Sequence, residues 1–186
     1  MRRFDTAKLA VAVFIASEAV FFAFLIIAYI YYSGATVTGP NAANSLDPAR
    51  TLVFTVCLLA SSGTMWMAER RLASAQATAF RVWLGATILL GTAFMAGQAL
   101  EYAGLISRTV VPERNLFAAT FFTLTGFHGF HVVCGLVALI ALFIMAFVRS
   151  FGRSEISGVA AISMYWHFVD AVWIFIFSLI YLTVWL

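Results

Sequence analysis

Hydrophobic residues are concentrated in five long runs, which short polar segments separate. The runs cover residues 9–32, 51–69, 80–106, 115–148 and 156–186. A helix needs about 20 mainly apolar residues to cross a bilayer, and each run reaches about that length. The pattern therefore predicts an all-α polytopic membrane protein in which a single domain, residues 1–186, forms a bundle of five transmembrane helices.

Residues that favour turns separate several of the runs. The segment 33–50 contains Pro40 and Pro48 among several Gly, Asn and Asp residues, and the segment 108–114 contains Pro112. Such residues interrupt helices and form loops. We therefore expect both segments to be loops between transmembrane helices.

Composition excludes several classes of protein. Hydrophobic residues make up 63% of the chain and charged residues only 10%, whereas a soluble domain carries roughly a quarter charged residues. The net charge is +3, but the basic residues are spread too widely along the chain to indicate nucleic-acid binding. Cys57 and Cys134 lie in apolar runs without metal-ligand spacing, which favours buried hydrophobic roles over a disulfide or thiolate site.

The basic residues predict an orientation. Eight of the 11 basic residues lie in segments on the same side of the membrane as the N-terminus: Arg2, Arg3, Lys8, Arg70, Arg71, Arg81, Arg149 and Arg153. The other side has Arg50, Arg108 and Arg114. Basic residues favour the cytoplasmic side of a membrane, so we expect a cytoplasmic N-terminus and an external C-terminus.

Six ionisable residues lie inside or at the edge of the apolar runs: Glu18, Glu101, Asp170, His128, His131 and His167. Ionisable groups are costly in hydrocarbon and are functional candidates by default. A rise of about 1.5 Å per residue places five of them near mid-membrane and Glu101 near the outer surface.

Two pairs of these residues have the spacing i, i+3, namely His128 with His131 and His167 with Asp170. Residues at this spacing share one face of a helix. They could form a metal or haem site between two helices, or they could form hydrogen bonds between helices. The spacing alone favours hydrogen bonds, because no third helix supplies an obvious pair of ligands.

Glu18 has two interpretations of its own. It could relay protons or bind an ion, or it could be a structural acid bonded to a histidine or to a lipid head group. The residues alone do not separate these interpretations.

Motifs in all five runs, in order, resemble subunit III of the haem–copper cytochrome oxidases. Residues 165–173 read YWHFVDAVW and residues 125–132 read TGFHGFHV. Residues 17–22 match the family's SE..FF segment and residues 58–63 read LLASSG. Residues 90–102 match its LG..F...Q..EY pattern. The resemblance therefore spans nearly the whole chain.

The resemblance implies a non-redox accessory subunit of a bacterial terminal oxidase in the plasma membrane. The complex would reduce oxygen and pump protons in aerobic respiration. This chain would pack on subunit I, together with subunit II and possibly a small subunit IV. It would bind phospholipid and support proton uptake and sustained turnover. Haem and copper would lie in the partner subunits, so we expect this chain to have no catalytic residue and no metal ligand.

The resemblance also implies roles for individual residues. Glu18 matches the family's buried, carbodiimide-reactive carboxylate. The other candidates become interior polar or lipid-contacting residues: His128, His131, His167, Asp170, Glu101 and Trp166. Their depths lead us to expect one interior network of Glu18, His131, His167 and Asp170. Glu101 is expected to make a separate contact in the outer leaflet.

Two other functions remain open at this point. The chain could be a subunit III homologue attached to a nitric oxide reductase, or a stand-alone proton or ion channel. Many members of the family have seven helices, and the five runs match the last five. Lipid sites that depend on the first two helices are therefore not implied for this chain.

Overall fold

The computed structural model describes residues 6–33, 45–113, 116–148 and 153–182. The described residues form five long helices and no strand. The helices are α1 (Thr6–Ser33), α2 (Pro48–Ala73), α3 (Ala77–Ser107), α4 (Leu116–Val148) and α5 (Arg153–Ile180). Each contains a segment long and apolar enough to cross a membrane. The predicted all-α, five-helix fold class is thus confirmed.

Helix α2 begins at Pro48, three residues earlier than expected. The side chain of Asp47 accepts a hydrogen bond from the backbone N–H of Arg50 at 3.1 Å, which caps the helix. Proline is favoured at the first position of a helix, where its missing N–H leaves no hydrogen bond unmade. The interpretation of Pro48 as a loop residue was therefore wrong. Residues 34–44 of the expected loop lie outside the described residues.

Helix α5 ends at Ile180, whereas the last apolar run continues to residue 186. The backbone N–H of Tyr181 still donates to the carbonyl of Phe177 at 2.9 Å, so the chain leaves the helix gradually. Residues 183–186 lie outside the described residues. The side chain of Tyr181 is fully buried.

Four of the helices form a ring. Helices α2 and α3 form the most extensive helix pair, and only residues 74–76 connect them. Helix α3 also packs on α4, α4 on α5, and α5 on α2. Helix α1 packs on the outer side of this ring, against α4 and α5. In the most apolar part of α1 only 6% of residues are buried, compared with 50% in α5.

Two tryptophans of α5 fix its position against α2. The side chains of Trp166 and Trp173 are fully buried. The indole N–H of Trp166 donates to the hydroxyl of Ser61, and that of Trp173 to the hydroxyl of Thr55, each at 3.0 Å. Gly135 of α4 lets the ring of Trp166 approach closely, because a methyl group there would overlap it.

A glycine has a similar role in the α2–α3 pair. The ring of Phe54 in α2 occupies the space where a side chain at Gly97 in α3 would lie. Small residues permit such close approach between transmembrane helices. The pair therefore depends on the absence of a Cβ at this position.

We predict that Gly97→Ala lowers the free energy of unfolding by about 1–3 kcal/mol, since overpacking forces neighbouring groups to move. Gly63→Ala in α2 is the matched control, because nothing lies within 4 Å of its added methyl group. It should be neutral or slightly stabilising. Unfolding of both variants in detergent, followed by circular dichroism, checks this prediction. Equal effects of the two substitutions would contradict it.

Candidate functional site

Glu18 and His131 form a pair between α1 and α4. A carboxylate oxygen of Glu18 lies 2.9 Å from Nε2 of His131. The side chains are 20% and 10% exposed, respectively. The rings of Phe21 and Phe22 pack beside His131, with centroids 6.4 and 5.0 Å from the imidazole. The pair is thus largely surrounded by apolar groups.

The geometry of His131 leaves one proton between the two side chains. Its Nδ1 lies 2.7 Å from the backbone carbonyl of Phe127, to which it can only donate. Nε2 then faces Glu18, either as a donor to the carboxylate or as an acceptor from the protonated acid. In the second arrangement the hydrogen bond persists while both groups are neutral. The pair can therefore avoid an isolated charge in the membrane.

Helix α5 also contacts this pair. The hydroxyl of Tyr165 donates to the backbone carbonyl of His131 at 3.0 Å, and its ring lies 6.1 Å from that of Phe14 in α1. An apolar groove of about 350 Å³ lies between α1, α4 and α5. His131, Tyr165 and Cys134 are among the residues that line it.

Ser62, His167 and Asp170 form a second group between α2 and α5. The hydroxyl of Ser62 lies 2.9 Å from Nδ1 of His167 and also bonds a carboxylate oxygen of Asp170. A hydroxyl has one proton, so Ser62 donates to one partner and accepts from the other. The second carboxylate oxygen of Asp170 is buried and has no hydrogen-bond partner among the described residues.

His128 lies in an aromatic cage. Its ring stacks on Trp173 with centroids 4.9 Å apart, and the rings of Phe22 and Phe94 lie 6.4 and 6.0 Å away. Both ring nitrogens are buried without a hydrogen-bond partner in the part of the chain that the structure describes. His128 is thus a packed interior residue, one helical turn from the His131 pair.

Glu101 lies apart from these residues and joins three segments. Its carboxylate accepts hydrogen bonds from Thr51 of α2 at 3.1 Å, from Gln98 of α3 at 3.5 Å and from Tyr181 after α5 at 2.7 Å. It therefore holds together the end of the bundle where α2 begins and α3 ends.

The structure divides the expected four-residue network into two groups. Glu18 meets His131, whereas His167 and Asp170 meet Ser62; within the described ranges no direct hydrogen bond joins the groups. Glu18 faces α4 through its contact with His131, whereas His167 and Asp170 face α2 through Ser62. Trp166 binds neither group and donates to Ser61 instead.

Three partners were missed by reasoning from the sequence: Ser62, Thr51 and Tyr181. All three lie within the apolar runs, where a hydroxyl follows no distinguishing pattern. Each has a hydroxyl at about the same level along the bundle as a carboxylate on another helix. This match in level is the signal from which the three partners could have been predicted. No group of three or more His, Cys, Asp or Glu residues in the described ranges is arranged to hold a metal.

Comparison with known proteins places the chain in a family. The family model described as cytochrome c oxidase subunit III matches residues 4–185. The chain belongs to the cytochrome c oxidase subunit III family. The resemblance inferred from the motifs is thereby confirmed, and the chain is a multi-pass subunit III of a multi-subunit haem–copper oxidase.

The matches to individual members of the family extend over most of this chain. It is 34% identical to cytochrome bo(3) ubiquinol oxidase subunit 3 of Pseudomonas aeruginosa, over 91% of this chain and 81% of that protein. It is 32% identical to cytochrome c oxidase subunit 3 of Corynebacterium diphtheriae, over 97% and 90%. The cytochrome c oxidase subunit 3 of Synechocystis is 34% identical, over 96% and 76%. Relatives with about the same identity to this chain are thus named after different electron donors, ubiquinol in one case and cytochrome c in the others.

A double-mutant cycle tests the Glu18–His131 pair. We predict a coupling energy of about 1–3 kcal/mol between Glu18→Ala and His131→Ala in the free energy of unfolding, because either change leaves a polar partner unsatisfied. The control cycle combines Glu18→Ala with His167→Ala, which share no partner, and should be additive within about 0.5 kcal/mol. Comparable coupling in both cycles would show that the contact is not specific.

Proposed function

We propose that this chain is the non-redox accessory subunit of a bacterial terminal oxidase that reduces oxygen and pumps protons. It packs on subunit I in a complex with subunit II and possibly a small subunit IV. The observation that carries the proposal is the match of nearly the whole chain, residues 4–185, to subunit III. The electron donor and the oxygen chemistry belong to partner chains.

Haem and copper are assigned to those partners because the histidines here already have other roles. Both ring nitrogens of His131 have partners, Phe127 and Glu18. Nδ1 of His167 binds Ser62, and aromatic rings enclose His128. Binding a metal through His131 would require loss of a hydrogen bond, and binding through His128 would require loss of aromatic packing.

Phospholipid binding is supported by the outward surface of the bundle. Large apolar side chains are exposed along α1, α4 and α5, among them Phe24, Val137 and Phe175. The groove between these helices, about 350 Å³ in volume, has a mainly apolar lining that suits acyl chains. Surfaces of this kind fit lipid or the apolar face of a neighbouring subunit.

Support for proton uptake and sustained turnover is assigned to the Glu18–His131 pair. The pair is hydrogen-bonded with room for one proton between its two side chains, and it joins the peripheral helix α1 to the rest of the bundle. Loss of this pair would weaken the packing of α1 on the bundle without altering a redox centre. The expected consequence is a change in how long the complex stays active rather than in its first turnovers.

The proposed orientation has a cytoplasmic N-terminus and an external C-terminus in the plasma membrane. Arg70, Arg71 and Arg81 lie near the α2–α3 connection, on the proposed inner side. Arg50 and Arg108 lie at the opposite ends of the same helices, on the proposed outer side. The excess of arginines on the proposed inner side agrees with the preference of basic residues for the cytoplasmic side of a membrane.

Co-purification tests the assembly. We expect the affinity-tagged chain, extracted in mild detergent, to retain a haem protein that mass spectrometry identifies as an oxidase subunit I. The chain alone should have no haem absorption. Recovery of a nitric oxide reductase would identify a different complex. Recovery of the chain alone, with ion conductance in liposomes, would support a channel and contradict the proposal.

Replacement of the buried acid tests its role in turnover. We predict that Glu18→Ala leaves the initial rate of oxygen consumption near normal, because no redox group is lost. It should shorten the active lifetime or slow proton uptake severalfold. Glu18→Gln retains a donor for His131 and should have a smaller effect. Ser17→Ala is the control, because the Ser17 hydroxyl donates to the carbonyl of Phe14 in its own helix. If sustained activity and proton pumping are unchanged in Glu18→Ala, the role of Glu18 is only structural.

A further inference from the structure

The seam between α2 and α5 presents polar side chains to the surroundings of the bundle. Ser62 and His167 are both partly exposed there. A rise of about 1.5 Å per residue places His167 about 16 Å beyond Ile156, where the membrane-spanning segment of α5 begins. The hydrocarbon core of a bilayer is about 30 Å thick, so the imidazole lies near the middle of the membrane.

One ring nitrogen of His167 faces outward without a partner. Nδ1 lies 2.9 Å from the hydroxyl of Ser62, whereas Nε2 makes no hydrogen bond within the described residues. Nε2 is also not among their buried unpaired atoms, so it is accessible at the surface of the seam. Acyl chains offer neither a donor nor an acceptor, and an unsatisfied polar group is costly in hydrocarbon. A lipid-facing position therefore does not suit this imidazole.

Exposed hydroxyl groups on other helices are satisfied differently. The hydroxyls of Ser17, Thr92 and Thr123 each donate to a backbone carbonyl of their own helix. Lipid can cover these residues, because their hydrogen bonds are made inside the helix. Nε2 of His167 has no such bond in the part of the chain that the structure describes.

Gly63 lies next to Ser62 and is also exposed. Glycine is less favourable than alanine within a helix, so a glycine at such a position usually has a packing reason. Nothing in the described residues lies within 4 Å of a Cβ built at Gly63, so the packing of this chain does not require a glycine. Ala60, one turn earlier, is small and exposed as well. Small residues on one face let a second transmembrane helix approach closely.

Larger apolar side chains flank these small residues along α2. Val56, Leu59 and Trp66 are exposed, and their spacing places them on the side of the helix that also carries Gly63. Beside Trp66, a groove of about 270 Å³ lies between α2 and α5. Small residues next to larger ones form the grooves and ridges with which helices pack on one another.

We propose that the α2–α5 seam is the docking surface for a transmembrane helix of another subunit, which presents a hydroxyl or amide side chain to Nε2 of His167. The backbone of that helix packs closely at Ala60 and Gly63. The inference rests on the proposed function and deepens it, because it names the face of this chain that meets a partner.

The hydrogen bonds of Ser62 determine what the partner must offer. When Asp170 is ionised, Ser62 donates to it and accepts from Nδ1 of His167, so Nε2 is an acceptor. When Asp170 is protonated, it donates to Ser62, Ser62 donates to Nδ1, and Nε2 carries the ring proton. A hydroxyl or an amide serves both states, because each can donate and accept.

Photocross-linking in native membranes tests the docking surface. The photoreactive residue p-benzoylphenylalanine replaces Leu59 next to the seam or, as the control, Leu89 on α3; both positions are exposed. We expect the Leu59 variant to form an adduct with a transmembrane segment of a different subunit, identified by mass spectrometry, and the Leu89 variant to form none with that segment. Adducts with lipid alone, or with a second copy of this chain, would overturn the proposal.

A bulky side chain at Gly63 separates docking from folding. Gly63→Leu has room in the isolated chain, because nothing lies within 4 Å of its Cβ, but it keeps a neighbouring helix at a distance. We expect unchanged helix content and thermal unfolding by circular dichroism, and about tenfold less partner subunit retained after extraction in mild detergent. Gly104→Leu is the matched control, since Gly104 is equally open but lies in the last turn of α3. Unchanged retention in Gly63→Leu, or an equal loss in the control, would contradict the proposal.

Substitution of His167 tests the polar contact. His167→Leu should lower retention of the partner about tenfold, because it leaves the partner's polar group unsatisfied. His167→Gln keeps a donor and an acceptor and should lower retention less. Met164→Leu, one turn earlier on the exposed side of α5, is the control. Retention that is the same in His167→Leu as in the unsubstituted chain would exclude the hydrogen bond.

The outcomes distinguish this inference from the proposed function. If the chain co-purifies with a haem protein but the Leu59 variant forms no protein adduct, another face docks and only the inference fails. If no haem protein co-purifies, the proposed oxidase assembly fails, whereas an adduct from Leu59 to any other membrane subunit would still support docking at the seam.

Discussion

Inside a bilayer a polar side chain has no water to bind, so its hydrogen bond must come from the protein itself. The described helices meet this constraint at several acids, hydroxyls and indoles with bonds between side chains of different helices, although both ring nitrogens of His128 and one oxygen of Asp170 are left without a partner among the described residues. Glu18 joins α1 to α4, Ser62 joins α2 to α5, and the indole of Trp173 reaches Thr55. The packing of the bundle is organised around these few polar contacts, because apolar contacts alone discriminate little between lipid and protein.

The same constraint explains the form of the two acid–histidine groups. An isolated charge would be costly at this depth, whereas a shared proton lets the acid and the imidazole be neutral together. His131 can do this because its Nδ1 is committed to Phe127, whereas His167 and Asp170 share no proton and are each hydrogen-bonded to the hydroxyl of Ser62. Buried acids and histidines of this kind thus do not require a metal or a redox role.

The five helices are not equivalent. Helices α2 to α5 close a ring with buried tryptophans at its centre, while α1 packs on one side and exposes most of its apolar surface. This arrangement leaves a large apolar surface on α1, which suits one subunit of a multi-subunit membrane complex. Glu18 lies on the most peripheral helix but points to the interior, so it couples that helix to the ring.

The sequence alone determined the number of membrane spans, most of their limits to within a few residues, and the family, and it led to an expected depth for each ionisable residue. These properties are local: hydrophobic run length and the rise of a helix fix where a residue lies along the membrane normal. They do not fix which helices are neighbours or how each is rotated about its axis. Only the tertiary structure therefore decided that Glu18 meets His131, that Asp170 meets Ser62 in a separate group, and that Glu101 binds Tyr181 from beyond α5. Such pairings depend on contacts between residues up to 113 positions apart, which no local pattern records.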